Sequence, residues 1–284
     1  MNVAFQGVHG AYSEAAARTI LGSGIATSPC ETFGAVFDRV ERRRSDRGVI
    51  PIENSLAGSI HENYDLLLAH RLHIVGEVHQ RIEHALMCPP RSTLGDLRAV
   101  RSHPQALAQC SRFLLSHPAI RPVPFFDTAG AASAVARDGR PDTGAIAGAH
   151  AARLYGLRIL KRNVENSPSN FTRFLVLSRT PWKFLRGTKT RSSIVFTPAA
   201  NRPGILFHIL GVFALREIDL LKIESRPDPR SPFEYRFYAD IAGGPHEERV
   251  ARAFEHLREI VSQFRLLGTY PAGTGPARRR RRRR

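Results

Sequence analysis

Cysteine is scarce in this chain, and its placement argues against two common kinds of cross-linked site. The 284 residues contain three cysteines, Cys30, Cys88 and Cys110, which lie far apart and form no CxxC pair. An odd number at wide spacing predicts neither a disulfide framework nor a cysteine zinc site. So few cysteines also indicate a reducing compartment, which favours a cytoplasmic location.

Long apolar runs are also missing. No stretch approaches the roughly 18 residues that a membrane-spanning helix needs, so we expect no membrane partner. The first residues, MNVAFQGVHG, lack the basic start and apolar core of a signal peptide, which again favours the cytoplasm. The histidines form no HExxH pattern, and His79 and His84 do not have ligand spacing, so we predict packing or surface roles for them and no metal site.

Acidic residues are outnumbered by basic ones, 25 against 42, which gives a net charge of +17. Seven of the positive charges form the terminal run Arg278–Arg284, and 17 minus 7 leaves +10 over the other 277 residues. Because the run follows a Pro/Gly-rich segment, we expect residues 271–284 to be a disordered basic tail that makes non-specific contacts with polyanions. The remaining excess is moderate and suits a fold that binds a small dianion.

Residues 1 to about 180 repeat the order of short apolar strand, polar turn and helix. Examples are VAF followed by QGVHG (3–10) and GVIPI followed by ENS (48–55). The alternation predicts an α/β fold with mainly parallel sheets, whose strand-to-helix turns gather at one edge. Anions bind at such edges, although a single Ser or Thr there is more often a helix cap. The turn residues concerned are Ser13, Ser59, Ser102 and Thr128, and Ser59 has the spacing of a capping box with Glu62.

A different order begins near residue 191. Strand, helix, two strands, helix and strand are expected at 193–197, 205–216, 218–224, 233–241, 246–263 and 265–270. This βαββαβ order predicts a ferredoxin-like domain. The segment 205–216 has a broad apolar face, so we expect it to lie on the sheet.

Six motifs carry a family resemblance. PIENSLAGSIHENYDLLL (51–68), SHPQALAQC (102–110), DTAGAASAVA (127–136) and NFTRF (170–174) resemble prephenate dehydratase, and NRPGILFHIL (201–210) with KIESRP (222–227) resembles its C-terminal ACT regulatory domain. The resemblance covers about residues 2–270. It implies a dehydratase region at 1–180, made of two α/β lobes like those of periplasmic binding proteins with the site in the cleft. An ACT domain at 191–270 would follow.

The resemblance implies a reaction that needs neither metal nor cofactor. The family converts prephenate to phenylpyruvate, with loss of carbon dioxide and the ring hydroxyl, in L-phenylalanine biosynthesis. Thr172 of the TRF motif would hydrogen-bond or protonate the leaving hydroxyl as a positioned donor. The other catalytic residues that the resemblance implies are Asn54, Ser102, Gln109 and Glu53.

Arg173 has two interpretations. From its segment alone, it lies at a strand end and extends its charged group to solvent. With the family resemblance, it grips the pyruvyl carboxylate of the substrate in a forked pair, while Phe174 packs in the core. The other predicted substrate-binding residues are Ser13, Ser55, Gly58, Ser59 and Thr128.

The ACT resemblance implies control by the end product. L-Phenylalanine would bind between two chains of a homodimer or homotetramer and shift the enzyme to a less active state. The effector-binding residues so implied are Asn201, Arg202, Pro203, Gly204, Ile205, Leu206, Ile223, Glu224, Ser225 and Arg226.

Two alternatives to a prephenate dehydratase stay open. Arogenate dehydratase, the sister activity, takes a substrate with an amine in place of the keto group, and the sequence resembles the plant enzymes of that name. A non-catalytic amino-acid sensor would use the same lobes and ACT domain without turnover. The presence of Asn54, Gln109, Thr172 and Arg173 together favours an enzyme over a sensor.

Overall fold

The computed structural model describes residues 1–200, 202–228 and 231–273. The strands are β1 (Asn2–Gln6), β2 (Ala26–Cys30), β3 (Arg47–Asn54), β4 (Gly58–Ser59), β5 (His73–Arg81), β6 (His84–Cys88), β7 (Ala99–Ser102), β8 (Arg121–Pro124), β9 (Thr143–Gly148), β10 (Arg158–Lys161), β11 (Phe171–Ser178), β12 (Thr190–Pro198), β13 (Leu220–Asp228), β14 (Ser231–Ala242) and β15 (Val261–Pro271). The α-helices are α1 (Tyr12–Leu21), α2 (Phe33–Glu41), α3 (His61–Ala69), α4 (Pro104–Gln109), α5 (Ser111–Leu115), α6 (Thr128–Asp138), α7 (Ala149–Tyr155), α8 (Ile205–Ala214) and α9 (Glu248–Ile260), and one 3₁₀ turn covers Leu94–Asp96.

The described chain divides into two compact units. The first contains residues 1–63 and 78–174, and the second contains residues 64–77 together with those from 175 to 273. The boundaries therefore fall inside α3, β5 and β11. The domain limits expected from sequence, 1–180 and 191–270, stay a prediction.

Two mixed sheets form two lobes among the residues that precede β12. One sheet has the order β2-β1-β3-β11-β5, with β4 paired to β3, and the other has the order β10-β6-β9-β7-β8. β1 is parallel to β2 and β3, and β7 is parallel to β8 and β9, but β6 is antiparallel to both β9 and β10. The expectation of mainly parallel sheets is therefore wrong for the second sheet. Residue patterns show where strands lie, whereas the direction of each strand depends on the connections.

Small side chains bring α6 close to the second sheet. Ala131, Ala132 and Val135 of α6 pack with Ala145 and Ala147 of β9, and all five are buried. Every residue of β9 is buried, as expected for a strand covered on both faces. This close packing holds the start of α6 against the sheet. The turn before α6 lines part of the cavity described below.

The predicted capping box at Ser59 is wrong. Ser59 lies in β4, which pairs with the end of β3 in a short hairpin, and α3 begins only at His61. The side chain of Asn54 accepts hydrogen bonds from the backbone N–H groups of Leu56 and Ala57, and Gly58 has φ 83. The Asn54 turn therefore sends the chain back along β3 before the helix can start.

The second unit contains the predicted ferredoxin-like domain. Its sheet has the order β13-β14-β12-β15, and α8 and α9 cover an apolar core that includes Ile209, Phe213 and Phe254. The βαββαβ order is thus confirmed. Residues 229–230, between β13 and β14, lie outside the described residues, as does the arginine tail.

Residues 64–77 belong to this second unit, although they precede the ferredoxin-like domain by more than a hundred residues in the chain. The Tyr238 hydroxyl donates to the Tyr64 carbonyl at 2.9 Å, and Arg226 pairs with Asp65 at 2.9 Å. Arg265 donates to the carbonyl of Leu68 at 2.9 Å. These bonds fasten the segment to the polar face of the sheet.

Within the described residues, no helix is long and apolar enough to cross a membrane.

Candidate active site

A cavity of about 620 Å³ lies within the first unit, between the turns that end several strands. Its lining comes from the β1–α1 turn, the 51–60 hairpin, the start of α4 with Gln109, the turn before α6, and β11. Such convergence of strand ends is where α/β folds bind ligands. Seven predicted site residues line it: Ser13, Asn54, Gly58, Ser59, Gln109, Thr128 and Thr172.

Four predicted site residues lie outside this lining: Glu53, Ser55, Ser102 and Arg173. The Ser102 hydroxyl is buried and donates to the carbonyl of Ile146 at 2.6 Å, which ties β7 to β9. The Ser55 hydroxyl donates to the carbonyl of Ser169 and accepts from the N–H of Phe171, each at 2.9 Å. Both serines therefore hold neighbouring chain segments together.

Arg173 is buried, with 6% of its surface exposed, so the interpretation that it extends to solvent is wrong. Its neighbours Thr172 and Phe174 both line the cavity. Because successive side chains of a strand point to opposite faces, Arg173 lies on the face of the sheet away from the cavity. The expected direct grip on a substrate carboxylate does not fit this position. Phe174 is buried in the core, as expected, and it also borders the cavity.

Thr172 and Asn54 form a hydrogen bond in the wall of the cavity. Asn54 Nδ2 donates to Thr172 Oγ1 at 2.9 Å and to Asn170 Oδ1 at 2.8 Å. All three side chains are buried. Because the Thr172 oxygen accepts from Asn54, the hydrogen of its hydroxyl can be donated to a group in the cavity. β3 and β11, which are neighbours in the first sheet, bring these residues together.

The bonds continue into the second lobe. Asn170 Nδ2 donates to Gln109 Oε1 at 2.9 Å, and the same oxygen lies 3.1 Å from His84 Nε2. His84 Nδ1 lies 3.1 Å from the Tyr12 hydroxyl, which is also 2.7 Å from the carbonyl of Glu83. Polar groups of residues 12, 54, 84, 109, 170 and 172 thus form one connected network beside the cavity.

Two longer helices begin at the cavity. α1 has Ala11 at its N-cap with no side-chain cap, and Ser13 lies in its first turn. α6 is capped by Asp127, whose carboxylate accepts from the N–H of Gly130 at 2.7 Å and from the N–H of Val8 at 3.2 Å. Helix starts carry unpaired N–H groups and a positive dipole end, which favour anions. The N-terminus of α1 therefore offers N–H groups to an anion, beside the ion pair of Glu14 with Arg18.

Burial changes the acid–base behaviour of several groups here. It lowers the pKa of His84 and of His103, so both imidazoles are neutral at neutral pH. Burial also raises the pKa of Tyr12 well above its ordinary value. His103 Nδ1 accepts from the N–H of Gln105 at 3.2 Å, which leaves the proton of the neutral ring on Nε2.

Sequence reasoning missed Tyr12, His84, His103, Asp127 and Asn170. Tyr12 and Asp127 are next to predicted residues in the strand-to-helix turns, so the turn argument could have included them. Asn170 stands two residues before Thr172 in the NFTRF motif. His84 carries no local signal, and its place in the network depends on how the lobes pack.

The predicted effector residues form two segments of the second unit. Arg202, Pro203 and Gly204 are exposed before α8, whose first turn contains Ile205 and Leu206; Asn201 lies outside the described residues. On β13, an edge strand, Ile223 and Ser225 are exposed, while Glu224 and Arg226 are partly buried. Gly204 has φ 80, a left-handed conformation that favours glycine.

Family models match this arrangement along most of the chain. The prephenate dehydratase model matches residues 3–181, and the ACT domain model matches residues 193–259. The chain belongs to the prephenate dehydratase family. Its membership makes it a lyase of aromatic amino acid biosynthesis with an ACT domain, so the predicted family, enzyme class and regulatory domain are confirmed.

Relatives of this dehydratase include plant and bacterial proteins. Arogenate dehydratase/prephenate dehydratase 2, chloroplastic, of Arabidopsis thaliana is 46% identical over 96% of this chain and 74% of its own length. The prephenate dehydratase of Arthrobacter aurescens, solved in complex with L-Phe, is 30% identical with a TM-score of 0.88, over 97% of this chain and 94% of its own. GqqA, described as a novel type of quorum-quenching acylase, is 39% identical with a TM-score of 0.89, over 98% of this chain and 100% of its own.

The expectation of a cytoplasmic location is contradicted by the family members. The Arabidopsis relative is named as chloroplastic. A low cysteine content indicates a reducing compartment, but it does not distinguish the cytoplasm from other reducing compartments.

Proposed function

We propose that this dehydratase acts on prephenate and that Thr172 donates a hydrogen bond or proton to the departing ring hydroxyl. The observation that carries the proposal is the bond from Asn54 Nδ2 to Thr172 Oγ1, at 2.9 Å in the cavity wall. This bond leaves the Thr172 hydrogen for the substrate. A hydroxide that leaves as water needs such a donor, and a positioned donor is effective even when it is a weak acid.

The rest of the lining suits a dicarboxylate that loses one carboxylate as carbon dioxide. Ser13 and the start of α1 would hold the carboxylate that remains, with Thr128 at the start of α6 as a second polar contact. Phe33, Ile60 and Phe174 add apolar wall, which would remove water from the carboxylate that departs. Aromatisation of the ring then supplies the driving force.

The residues outside the lining act in this proposal by holding the site together. Ser55 and Ser102 join chain segments through their hydroxyls. Glu53 is opposite Ser59 in the β3–β4 hairpin, which places the cavity residues Gly58 and Ser59. Arg173 is buried and lies outside the lining, so we expect its effect on catalysis to be indirect.

Thr172→Val tests the proposal, because valine keeps the shape and removes the hydroxyl. We expect phenylpyruvate release to fall about 10²-fold or more in kcat, with a much smaller change in KM. Thr172→Ser, which keeps a hydroxyl, is the matched control and should retain most of the activity. Unchanged turnover by the valine variant contradicts the role of Thr172. An N-acylated amine is assayed in parallel to test for acylase activity. If the protein turns over this compound and not prephenate, the proposed substrate is wrong.

Arogenate is the second candidate substrate, and the name of the Arabidopsis relative includes it. Among the described residues that line the cavity, Asp127 is the one with a carboxylate, so it is the natural partner for the ammonium group of arogenate. Comparison of kcat/KM for the two compounds decides between them. Asp127→Asn should weaken the use of arogenate more than that of prephenate if the ammonium binds there; an equal loss shows only a capping role.

We further propose that L-phenylalanine binds at the segments 202–206 and 223–226 between two chains. The Arthrobacter aurescens relative was solved with L-Phe bound, and the exposed edge strand β13 can pair with a second copy. Titration calorimetry should detect L-phenylalanine binding, and sedimentation should show a dimer or tetramer. If a monomeric form of the protein binds L-phenylalanine as tightly as the oligomer does, the site does not lie between chains.

A further inference from the structure

The turn at 54–57 determines which way the carboxamides of Asn54, Asn170 and Gln109 point in the cavity network. Asn54 Oδ1 accepts from the backbone N–H groups of Leu56 and Ala57, each at 3.0 Å. Backbone N–H groups can only donate, so these two bonds orient the Asn54 carboxamide. Its NH₂ group must therefore face Asn170 and Thr172.

The orientation of the Asn54 amide determines that of Asn170, which in turn determines that of Gln109. The Asn54 NH₂ requires an acceptor on Asn170, which is Oδ1 at 2.8 Å, and so the NH₂ of Asn170 faces Gln109. Gln109 in turn presents Oε1, at 2.9 Å. Because that oxygen can only accept, the nitrogen of His84 that lies 3.1 Å away, Nε2, must carry a hydrogen. Nδ1 of a neutral His84 then bears no hydrogen, and the Tyr12 hydroxyl, 3.1 Å from Nδ1, donates to the carbonyl of Glu83 at 2.7 Å.

Gln109 is consequently held from two sides through its oxygen. Asn170 is fully buried and His84 is 2% exposed, so water does not readily replace either donor. With the oxygen engaged in the wall, the NH₂ group of Gln109 is the part of the carboxamide that remains for the cavity it lines. A reversed carboxamide would instead present an oxygen to a substrate that carries two carboxylates and a departing hydroxyl.

We propose that His84 and Asn170 are positioning residues that keep the NH₂ group of Gln109 directed into the cavity, as a second hydrogen-bond donor beside the Thr172 hydroxyl. The inference rests on the proposed function, since the donor serves the leaving hydroxyl. In this inference the buried His84 selects one of the two orientations of the Gln109 amide. His84 performs this task as a neutral ring and need not exchange protons with the substrate.

Two substitutions of His84 separate this role from mere packing. Glutamine can place an NH₂ group near the position of Nε2, whereas asparagine reaches only the position of Nδ1. We expect His84→Gln to retain kcat within about threefold and His84→Asn to lower kcat about tenfold or more, with little change in KM. Thermal unfolding of both variants checks that they are folded. Equal losses in the two variants, or no loss in either, overturn the proposal.

Nitrogen-15 spectra of the imidazole groups supply a second measurement on the wild-type protein. The His84 signal, assigned by its disappearance in His84→Gln, should show a neutral ring protonated at Nε2 at neutral pH. A cationic ring or a proton on Nδ1 overturns the proposal even if both variants are folded. Failure of the proposed function is distinguishable, since it would appear as wild-type protein without turnover or as a fully active Thr172→Val variant.

Discussion

Glu14 should make the stability of this dehydratase strongly dependent on pH in the acidic range. Its carboxylate is buried in the first turn of α1 and accepts from the Gly10 N–H at 2.7 Å, Thr27 Oγ1 at 2.8 Å and Arg18 at 2.9 Å. Burial by itself would raise the pKa of Glu14, but the hydrogen bonds, led by that from Gly10, outweigh it and lower the pKa from 4.5 to about 2. The charged form is thus favoured in the folded protein.

The magnitude follows from the change in pKa. A pKa lowered from 4.5 to about 2 corresponds to at most about 3 kcal/mol of stability at neutral pH. The Arg18 side chain is 40% exposed, so solvent screening reduces this figure to about 2 kcal/mol. Because the folded-state pKa is below the unfolded one, the contribution is complete above about pH 5 and is lost as the pH falls toward 2.

Glu14→Gln removes the charge and keeps the size. Urea unfolding at pH 7, 5, 4 and 3 should show the variant less stable by about 2 kcal/mol at pH 7, with the difference shrinking steadily below pH 5. Asp142→Asn is the matched control, because the pKa of Asp142 is also lowered to about 2 but its ion pair with Arg140 is exposed, and its effect should be much smaller. A Glu14→Gln difference that stays constant from pH 7 to 3 would refute the reasoning.

Three further outcomes follow from the positions of single residues and of the tail. Arg173→Lys should lower the midpoint of thermal unfolding and leave KM nearly unchanged, because the buried guanidinium lies on the sheet face away from the cavity; a raised KM with unchanged unfolding would place it on the substrate. Gly204→Ala should weaken L-phenylalanine binding in calorimetry, since a side chain at φ 80 is strained by about 1 kcal/mol. Gly211→Ala is the control and should not weaken binding, because an added Cβ there meets nothing within 4 Å. An equal loss of binding in the two variants contradicts the site. Deletion of Arg278–Arg284 should leave turnover unchanged and weaken salt-sensitive binding to an anionic polymer; loss of turnover at moderate salt would show that the tail acts on the enzyme.

The family, the α/β class and the βαββαβ order were predictable because they depend on features that are local in the chain. Each motif is a short run of residues, and each helix or strand shows its own period. Ser13 and Thr128 were found because strand-to-helix turns have recognisable residues and the turns of an α/β sheet meet at one edge. Local patterns failed at Ser59, where the side chain of Asn54 forms a turn that delays the helix.

The tertiary structure decided which side chains share the cavity and which way they point. The sequence places Thr172, Arg173 and Phe174 side by side, but only the pairing of β11 in its sheet determines that the first and third line the cavity and the second does not. The network of Asn54, Asn170, Gln109 and His84 joins residues up to 116 positions apart in the chain. Its hydrogen-bond directions and the lowered pKa of His84 arise from contacts and burial, which exist only after the chain has folded.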